Sequence, residues 1–218
     1  MRNVHKTRVL IWVLAVIPLV LTVILYGALP DKIPMHWGIS GKVRYDPKIH
    51  IWWLAGISPA IAALFMLLPI IDPRKANIEK FRGFYDAFCL FMMAFMLGVF
   101  GIILSESFNP GKLRVEFLVT VGCGLLFMFL GNMMPKFKSN FFAGIRTPWT
   151  LSSNEVWQRT HRLAGFAWVS GGLLIIALSF ILRNLALYIA LLAIVVVITI
   201  LPIVMSYRWY QKLPHNGT

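Results

Sequence analysis

The sequence predicts an all-α fold, a polytopic integral membrane bundle of about six transmembrane helices with both termini in the cytoplasm. Of the 218 residues, 59% are apolar, and the mean hydropathy of +0.76 lies outside the range of soluble domains. A membrane-spanning helix needs about 20 predominantly apolar residues. Six stretches of the chain meet this requirement, approximately residues 9–28, 51–71, 87–104, 117–134, 163–182 and 185–207.

The basic residues predict the orientation of these spans. If the N-terminus is cytoplasmic, the inner segments hold two-thirds of the 21 Lys and Arg residues and the outer loops hold the remaining third. Short cytoplasmic segments of membrane proteins carry an excess of Lys and Arg, so the distribution favours this orientation. The formal net charge of +13 is divided among short loops and forms no single stripe, so we expect no direct nucleic-acid partner.

The first span follows Arg2, Lys6 and Arg8, a pattern that also precedes cleaved signal peptides. A secretory apolar region covers about 7 to 15 residues. The apolar run here is longer and lacks a clear cleavage site before Leu29-Pro30. We therefore expect the first stretch to remain as a membrane span.

The first outer loop, residues 29–50, is too irregular for a plain connection. It is rich in turn-forming residues, namely Pro30, Pro34, Gly38, Gly41 and Pro47. A loop of this length is more often functional than idle. The His36-Trp37 pair beside Gly38 predicts a compact loop that lies at the membrane interface or re-enters the membrane.

Histidines in this loop raise the question of a metal site. Such a site would use His36 and His50, with a nearby aspartate, Asp31 or Asp46, as the third ligand. Zinc ligands usually occur as close pairs, whereas these two histidines are fourteen residues apart. We therefore expect no metal, and we expect His36 to hydrogen-bond the backbone of its own loop while Trp37 anchors the loop at the outer interface.

The first inner loop, residues 72–88, predicts a short interfacial helix. Four apolar residues recur at helical spacing beside basic residues, namely Ile78, Phe81, Phe84 and Tyr85. Topology and lipid contact alone explain a basic inner loop. A docking face for a cytoplasmic partner is the functional alternative.

The middle spans carry packing signals. Gly122, Gly124 and Gly131 in the fourth span, and Gly165 and Gly172 in the fifth, predict close helix approach. Asn132, near the inner end of the fourth span, predicts a hydrogen-bond partner in a neighbouring helix. Packing residues rather than disulfide or metal partners are expected at Cys89 and Cys123. No clearly buried carboxylate is expected, because the candidates lie near span ends, at Asp86, Glu106 and Glu116.

The most chemically specific stretch is residues 140–165, NFFAGIRTPWTLSSNEVWQRTHRLAG, which lies between two apolar spans. Pro148 predicts a helix stop at Thr147, because proline disfavours the α conformation in the preceding residue. Ser152, three positions before Glu155, predicts a capping box that restarts a helix. Three pairs in that helix are four residues apart, Glu155 with Arg159, Trp157 with His161, and Gln158 with Arg162.

Three interpretations of this stretch are open. An interfacial anchor explains Trp149 and Trp157, but it requires no particular order of Gly, Thr, Pro, Ser and Glu. A phosphate cradle for a lipid-linked substrate would combine a helix N-terminus with four basic residues, Arg146, Arg159, His161 and Arg162. Recognition of a partner is the third interpretation, and it accounts for the ordered polar run as a whole.

Catalysis has little support in the sequence. The chain has no nucleophile elbow and no glycine-rich phosphate loop, and the phosphate cradle has no candidate nucleophile or general base beyond His161 and Glu155. Proton-coupled transport usually needs an ionisable group at mid-depth, and none is evident. We therefore predict no enzyme and no cofactor, and we keep a carrier or enzyme for a phosphorylated lipid-linked substrate as the alternative function.

Two stretches resemble a known family. The run GIRTPWTLSSNEVWQRTHRLAG at residues 144–165, with Asn132, Pro135, Lys136 and Asn140 upstream, resembles the C-terminal signature of SdpI-type immunity membrane proteins. The run IPMHWGISGK at residues 33–42 resembles the N-terminal domain of unknown function that precedes this signature in longer members. The resemblance covers both halves of the chain, residues 1–113 with the outer loop and residues 114–218 with an inner signature loop at 140–162.

The resemblance implies a multi-pass immunity protein of the bacterial cytoplasmic membrane. Members of this family protect the producing cell from a secreted peptide toxin that acts on membranes, and some also hold a cytoplasmic transcriptional repressor at the membrane. The implied partners are therefore a peptide toxin, a repressor and membrane lipids. The oligomeric state is left open.

These considerations predict two binding surfaces. The outer surface, which would meet the toxin, consists of Pro34, His36, Trp37 and Gly41. The inner surface, which would hold or signal to a partner, consists of Asn132, Asn140, Gly144, Arg146, Thr147, Pro148, Trp149, Ser152, Glu155, Trp157, His161 and Arg162. Within the inner surface we expect an ordered network of Arg146, Trp149, Glu155 and His161.

Overall fold

The computed structural model describes residues 2–38, 41–73, 75–140 and 142–213. This part of the chain folds into eight α-helices and one β-hairpin. In chain order the helices are α1 (Arg2–Leu25), α2 (Ile51–Ile71), α3 (Lys75–Glu79), α4 (Arg82–Phe108), α5 (Val115–Met133), α6 (Pro148–Ser152), α7 (Asn154–Ile181) and α8 (Asn184–Gln211).

Six of these helices, α1, α2, α4, α5, α7 and α8, are long enough and apolar enough to cross a membrane. They coincide with the six apolar stretches, which confirms the predicted all-α membrane bundle. Several helices extend beyond the apolar stretches because polar residues at the ends continue the helix. Thus α4 covers residues 82–108 rather than 87–104. The orientation of the termini and a division of the chain near residue 113 stay predictions.

The first outer loop forms a β-hairpin, which the sequence analysis did not predict. Strand β1 (Lys32–Trp37) pairs antiparallel with β2 (Val43–Pro47), and a 3₁₀ turn (Lys48–His50) leads into α2. Ile33 is fully buried and packs with apolar residues of α2 and α4. Gly41 has a φ of +77°, the left-handed conformation that glycine adopts most easily. The compact loop is therefore confirmed, with regular strands in place of an irregular or re-entrant path.

The α5 and α7 backbones touch at two glycine pairs. A Cβ atom on Gly165 would lie 2.8 Å from the carbonyl oxygen of Gly131, and one on Gly172 would lie 2.5 Å from the carbonyl oxygen of Gly124. Such distances are shorter than real Cβ contacts, so no larger residue fits at these positions. The predicted close approach of these helices is confirmed, whereas Gly122 faces an aromatic ring of α4 instead.

The first inner loop differs from the predicted interfacial helix. The helix α3 is only five residues long, and two of the apolar residues predicted at helical spacing, Ile78 and Phe81, face inward. Ile78 and Phe81 are each 3% exposed and belong to one core cluster with Phe137 and Trp157. The Phe81 and Phe137 rings lie 5.3 Å apart. The loop therefore packs most of its apolar face on the C-terminal half of the chain rather than presenting it to lipid, whereas Phe84 is 41% exposed.

Two carboxylates are more buried than the sequence analysis expects. Asp86 and Glu106 are each only 4% exposed, because α4 extends past the apolar stretch and carries both into packed positions. Glu106 accepts hydrogen bonds from the backbone N–H groups of Gly111 at 2.8 Å and Leu113 at 2.7 Å. Its role is therefore to hold the turn between α4 and α5.

The bundle has two distinct ends, which we call the hairpin end and the polar end. At the hairpin end, the backbone N–H of Asn184 donates to Glu116, which joins the turn before α8 to the start of α5. At the polar end, Asn77 Nδ2 donates to the carbonyl oxygen of Ser139 at 2.7 Å, which joins the first inner loop to the segment after α5. Each end thus brings together loops that are distant in the chain.

The glycine contacts generate a stability prediction. We expect Gly131→Ala and Gly172→Ala to lower the free energy of unfolding by about 1–3 kcal/mol, the usual effect of forcing a side chain into a packed contact. Thermal unfolding of the detergent-solubilised protein measures this change.

The matched control is Gly98→Ala in α4, because a Cβ atom there meets nothing within 4 Å. We expect its melting temperature to be unchanged or raised, since alanine favours the helix. A loss of stability at Gly98 equal to that at Gly131 and Gly172 would contradict the assigned contact.

Candidate functional site

The polar segment, which we define as residues 137–162, joins α5 to α7 at the polar end. Asn140 is fully buried at its start. The Asn140 Nδ2 donates to the carbonyl oxygens of Lys138 at 2.9 Å and Ala143 at 3.1 Å, and its Oδ1 accepts from the backbone N–H groups of Phe142 at 2.9 Å and Ala143 at 2.6 Å. The amide is saturated with hydrogen bonds, so it shapes the turn and is not exposed to a ligand.

His161 lies at the centre of the polar segment and is 1% exposed. Its Nε2 accepts a hydrogen bond from the backbone N–H of Ile145 at 3.0 Å, and its Nδ1 lies 2.8 Å from the carbonyl oxygen of Trp157. A carbonyl oxygen cannot donate, so the partners assign the proton to Nδ1 and make the ring neutral. His161 is therefore used to hold the backbone and is not exposed as a base.

Gly144 lies against this histidine and has a φ of +101°. A Cβ atom at this position would overlap Nε2 of His161. Glycine is thus required for two independent reasons, the left-handed backbone and the close approach of the imidazole. The predicted residues Gly144 and His161 form one contact.

Trp157 fastens the beginning of the polar segment to α7. It is 2% exposed, and its Nε1 donates to the carbonyl oxygen of Phe137 at 2.8 Å. Its ring stacks on His161, with the ring centroids 4.0 Å apart and the planes 21° apart. The pairing predicted from four-residue spacing is confirmed, but a headgroup anchor is wrong for Trp157 because the ring is buried. Trp149 is half-buried and packs on Tyr207 of α8, with the ring centroids 4.9 Å apart.

The predicted helix stop at Thr147-Pro148 is wrong, because a helix begins there. Thr147 is the N-cap of α6 and Pro148 is its first residue, a position that needs no N–H donor. The Thr147 Oγ1 accepts from the N–H of Thr150 at 3.2 Å, and Thr150 Oγ1 accepts from the N–H of Thr147 at 2.9 Å. The Thr147 Oγ1 also lies 3.3 Å from Ser206 Oγ, which links the cap to α8.

The predicted capping box between Ser152 and Glu155 is also wrong. Ser152 Oγ donates to the carbonyl oxygen of Pro148 at 2.6 Å and is used within α6. The N-cap of α7 is the next residue, Ser153, whose Oγ accepts from the N–H of Val156 at 3.3 Å. The helix restarts where the sequence analysis places it, with a different serine as its cap.

The other inner residues lie at the surface. Arg146, Ser152, Glu155 and Arg162 are exposed, and Glu155 pairs with Arg159 at 2.7 Å, as their spacing predicts. The predicted network therefore divides into a buried layer with His161 and a surface layer with Arg146 and Glu155. The phosphate cradle loses His161, whose ring nitrogens are both engaged.

Asn132 is exposed on α5, and its side chain forms no hydrogen bond with the residues that the structure describes. The partner expected from its position near the end of a span is therefore not found in the described chain. Asn132 lies apart from the buried layer of the polar segment.

The predicted outer residues lie on the hairpin. Pro34 is buried, whereas His36 is exposed and faces its cross-strand partner Arg44. Arg44 Nη2 lies 2.9 Å from Nδ1 of His36 and 3.3 Å from Oδ2 of Asp46. A guanidinium only donates, so His36 accepts from a side chain and not from the expected backbone group. Across the described residues, no three side chains of the metal-binding types cluster.

Trp37 and Gly41 line a cleft of about 600 Å³ between the hairpin, residues 110–117 and residues 179–187. The cleft, which we call the outer cleft, also contains one aromatic residue of β2 and charged residues from the other loops, namely Tyr45, Arg114, Glu116 and Arg183. The sequence analysis missed these four residues because they come from three loops that are distant in the chain. Their charge and aromatic character are visible locally, but their convergence is not.

Comparison with known proteins agrees with both ends of this architecture. Residues 136–206 match the SdpI/YfhL protein family, and residues 13–58 match the domain of unknown function DUF1648. The first match contains the whole polar segment, and the second contains the hairpin. Over 216 residues the chain is 26% identical to the immunity protein SdpI of Bacillus subtilis strain 168, an alignment that covers 98% of this chain and 99% of that protein. No solved structure matches the chain.

These matches and the six apolar helices identify a multi-pass protein of the cytoplasmic membrane. The similarity extends through both halves of the chain and includes the residues of the hairpin and of the polar segment.

The contact between Gly144 and His161 generates a second prediction. We expect Gly144→Ala to lower the free energy of unfolding by about 1–3 kcal/mol more than Gly111→Ala. Gly111 is the matched control because its φ of +78° gives alanine a comparable backbone strain, while its Cβ would meet nothing within 4 Å. Thermal or denaturant unfolding in detergent measures both.

A double variant separates the two causes at Gly144. In Gly144→Ala/His161→Ala the overlap with the imidazole is gone, so the loss of stability should be smaller than the sum of the two single losses. Strict additivity would show that the histidine and the glycine do not interact.

Proposed function

The chain matches the SdpI/YfhL protein family over residues 136–206, and from that match we propose that it is a membrane immunity protein that protects its cell from a secreted, membrane-active peptide toxin. The observation that carries the proposal is the similarity to a protein named for immunity over essentially the full length of both chains. A match confined to one span would support only a shared helix. Here it includes the hairpin and the polar segment together.

The proposal puts the hairpin end outside the cell and the polar end in the cytoplasm. Two-thirds of the Lys and Arg residues fall on the proposed inner side, as the positive-inside rule requires. In this orientation the hairpin and the outer cleft face the compartment from which a secreted peptide arrives.

The outer cleft has the chemistry to recognise an amphipathic peptide. Trp37 and Tyr45 offer large, stiff apolar surfaces, and Arg114, Glu116 and Arg183 offer both signs of charge. Aromatic and Arg side chains in a partly desolvated cleft are the residue types that most often dominate peptide and protein binding. We therefore assign toxin recognition to this cleft together with the predicted hairpin residues.

The polar end would then serve a cytoplasmic partner. Arg146, Glu155 and Arg162 are exposed on a backbone that His161 and Trp157 hold from below. A surface of this kind, with exposed charged side chains on a fixed backbone, suits recognition of another protein. A cytoplasmic transcriptional repressor held at this surface is the partner that the family resemblance favours.

The alternative function, a carrier or enzyme for a phosphorylated lipid-linked substrate, is not favoured by this geometry. Its only candidate base on the polar segment besides Glu155 was His161, which is buried with both ring nitrogens engaged. Glu155 is paired with Arg159 at the surface. We therefore propose no catalytic step.

Expression in a toxin-sensitive bacterium tests the proposal. Cells that carry the wild-type chain should survive a challenge with membrane-active peptide toxins of the secreted class that kills cells with an empty vector. Trp37→Ala should lower the highest toxin concentration that the cells survive by about tenfold or more. This is the effect of losing about 1.4 kcal/mol of binding free energy.

Trp53→Ala is the matched control, because Trp53 is 82% exposed on α2 and does not line the outer cleft. It should protect within about twofold of the wild type at equal membrane abundance, a change of less than about 0.5 kcal/mol. Equal loss in both variants, or none in Trp37→Ala, would refute the assignment of the outer cleft. A wild-type chain that fails against every toxin tested would refute the immunity function.

The polar end has its own prediction. Arg146→Ala should lower toxin resistance or repressor retention at the membrane without changing membrane abundance, because it removes an exposed charge and leaves the buried contacts of His161 intact. Arg208→Ala, an exposed arginine on α8, is the control with the same charge change. Resistance and repressor retention that both equal the control would count against a role for this surface.

A further inference from the structure

A second cavity opens at the polar end, beside the surface proposed for a cytoplasmic partner, and it shares Arg162 and Trp157 with that surface. This cavity, which we call the inner cavity, has a volume of about 470 Å³ and lies between α3, the segment that follows α5, and the first turns of α7. Its polar lining consists of three cations, three amides and one serine, namely Lys80, Lys138, Arg162, Asn77, Asn154, Gln158 and Ser139.

The charge of the inner cavity is unbalanced. No carboxylate lines it, and the two nearest in sequence, Glu79 and Glu155, are held in ion pairs with arginines outside the lining. Within the described chain, Lys80, Lys138 and Arg162 form no ion pair. Three cations around one concave surface without a counter-ion favour an anionic ligand.

Three of the donors lie on one side of α7. Asn154, Gln158 and Arg162 follow one another at intervals of four residues, so they lie in one row along the helix. The row begins at the first residue of a 28-residue helix, where the free N–H groups add partial positive charge. The buried residues Phe137 and Trp157 add aromatic surface to the lining. A phosphate group fits such a set of amide, ammonium and guanidinium donors.

The position of the inner cavity along the spanning helices indicates whether the phosphate belongs to a lipid or to a soluble molecule. Arg162 is the last charged residue before the apolar run of α7, and Lys80 lies two residues before α4 begins. Both therefore stand where two spanning helices leave the apolar layer, which is the depth of lipid headgroups. Basic pockets between transmembrane helices bind anionic headgroups at this depth.

We propose that the inner cavity binds the phosphate headgroup of an anionic phospholipid from the adjacent leaflet. The lipid acts as a bound structural ligand and not as a substrate, because no histidine, cysteine or carboxylate lines the cavity to activate the Ser139 hydroxyl. The proposal requires that the polar end lie at a membrane surface, and it does not depend on toxin protection.

The bound headgroup would join the two halves of the chain. Asn77 and Lys80 come from the first inner loop, whereas Lys138 and Arg162 come from the polar segment. These two parts already meet through the hydrogen bond from Asn77 to Ser139. A ligand held by both parts stabilises the folded state in proportion to its affinity, so anionic lipid should raise the melting temperature of the purified protein.

Binding of short-chain lipids to the full-length protein in an uncharged detergent tests this proposal. The probes are dioctanoylphosphatidylglycerol, dioctanoylphosphatidylcholine and glycerol 1-phosphate, with affinity measured by calorimetry and stability by melting temperature. We expect phosphatidylglycerol to bind about tenfold or more tightly than either other probe and to raise the melting temperature.

The decisive variant is Lys80→Gln/Lys138→Gln/Arg162→Gln. Each basic side chain near an anionic headgroup contributes about fivefold to binding, so the three together should weaken phosphatidylglycerol binding by at least about tenfold. The matched control, Lys6→Gln/Arg208→Gln/Lys212→Gln, removes three exposed cations from outside the cavity. It should bind within about twofold of the wild type.

Several outcomes would overturn the proposal. If phosphatidylcholine binds as tightly as phosphatidylglycerol, the cavity does not select a negatively charged headgroup. If glycerol 1-phosphate binds as tightly, the ligand is a soluble phosphate ester and not a lipid. Equal weakening in both triple variants would show binding to the general basic surface. If the cavity variant does not fold, the comparison of the three probes on the wild type still decides. A wild-type protein that binds phosphatidylglycerol but gives no protection would refute only the immunity function.

Discussion

The structure of the polar end depends on one buried, neutral histidine. His161 receives the N–H of Ile145 on one ring nitrogen and faces the carbonyl oxygen of Trp157 with the other. This arrangement satisfies a backbone donor that burial would otherwise leave without a partner, which costs about 1–3 kcal/mol. It also requires a glycine at position 144, because the imidazole occupies the space of a side chain there. The irregular backbone between α5 and α7 is therefore held by a side chain of α7 itself.

One helix consequently serves two purposes at this end. The side of α7 that carries Trp157 and His161 is buried and holds the polar segment, whereas the side that carries Asn154, Gln158 and Arg162 is exposed along the inner cavity. Helical periodicity separates the two sides, so surface residues can be specialised for a ligand or partner without disturbing the buried contacts. Recognition at this end thus acts on a rigid support.

The hairpin end follows a different principle. There the backbone pairs with itself, and Ile33 closes the apolar core beneath the two strands. The outer cleft forms where the hairpin meets two short turns, each from a different helix pair. The glycine contacts between α5 and α7 run between the two ends and allow these helices to pack backbone against backbone. The immunity function that we propose uses the exposed surfaces at the ends of this bundle.

The sequence by itself determined the six spans, because hydropathy is a local property of the chain and the membrane selects long apolar runs. It also determined the glycine contacts, the pairing of Trp157 with His161 and the position of the polar segment, since these follow from small residues and four-residue spacing. Tertiary structure alone decided which hydroxyl caps each helix. Thr147, Ser152 and Ser153 can all cap a helix, and in the folded chain Thr147 caps α6, Ser153 caps α7 and Ser152 donates within α6.

Tertiary structure also decided that the hairpin forms and which residues line the outer cleft and the inner cavity. Ile33 of β1 packs against apolar residues of α2 and α4, and this contact stabilises the strands. No local pattern in residues 29–50 predicts that contact. The inner cavity combines Lys80 with Lys138 and Arg162, and the outer cleft combines three loops. A binding site of this kind is a property of segments that meet in space, so its residues are visible in the sequence while their convergence depends on how the helices pack.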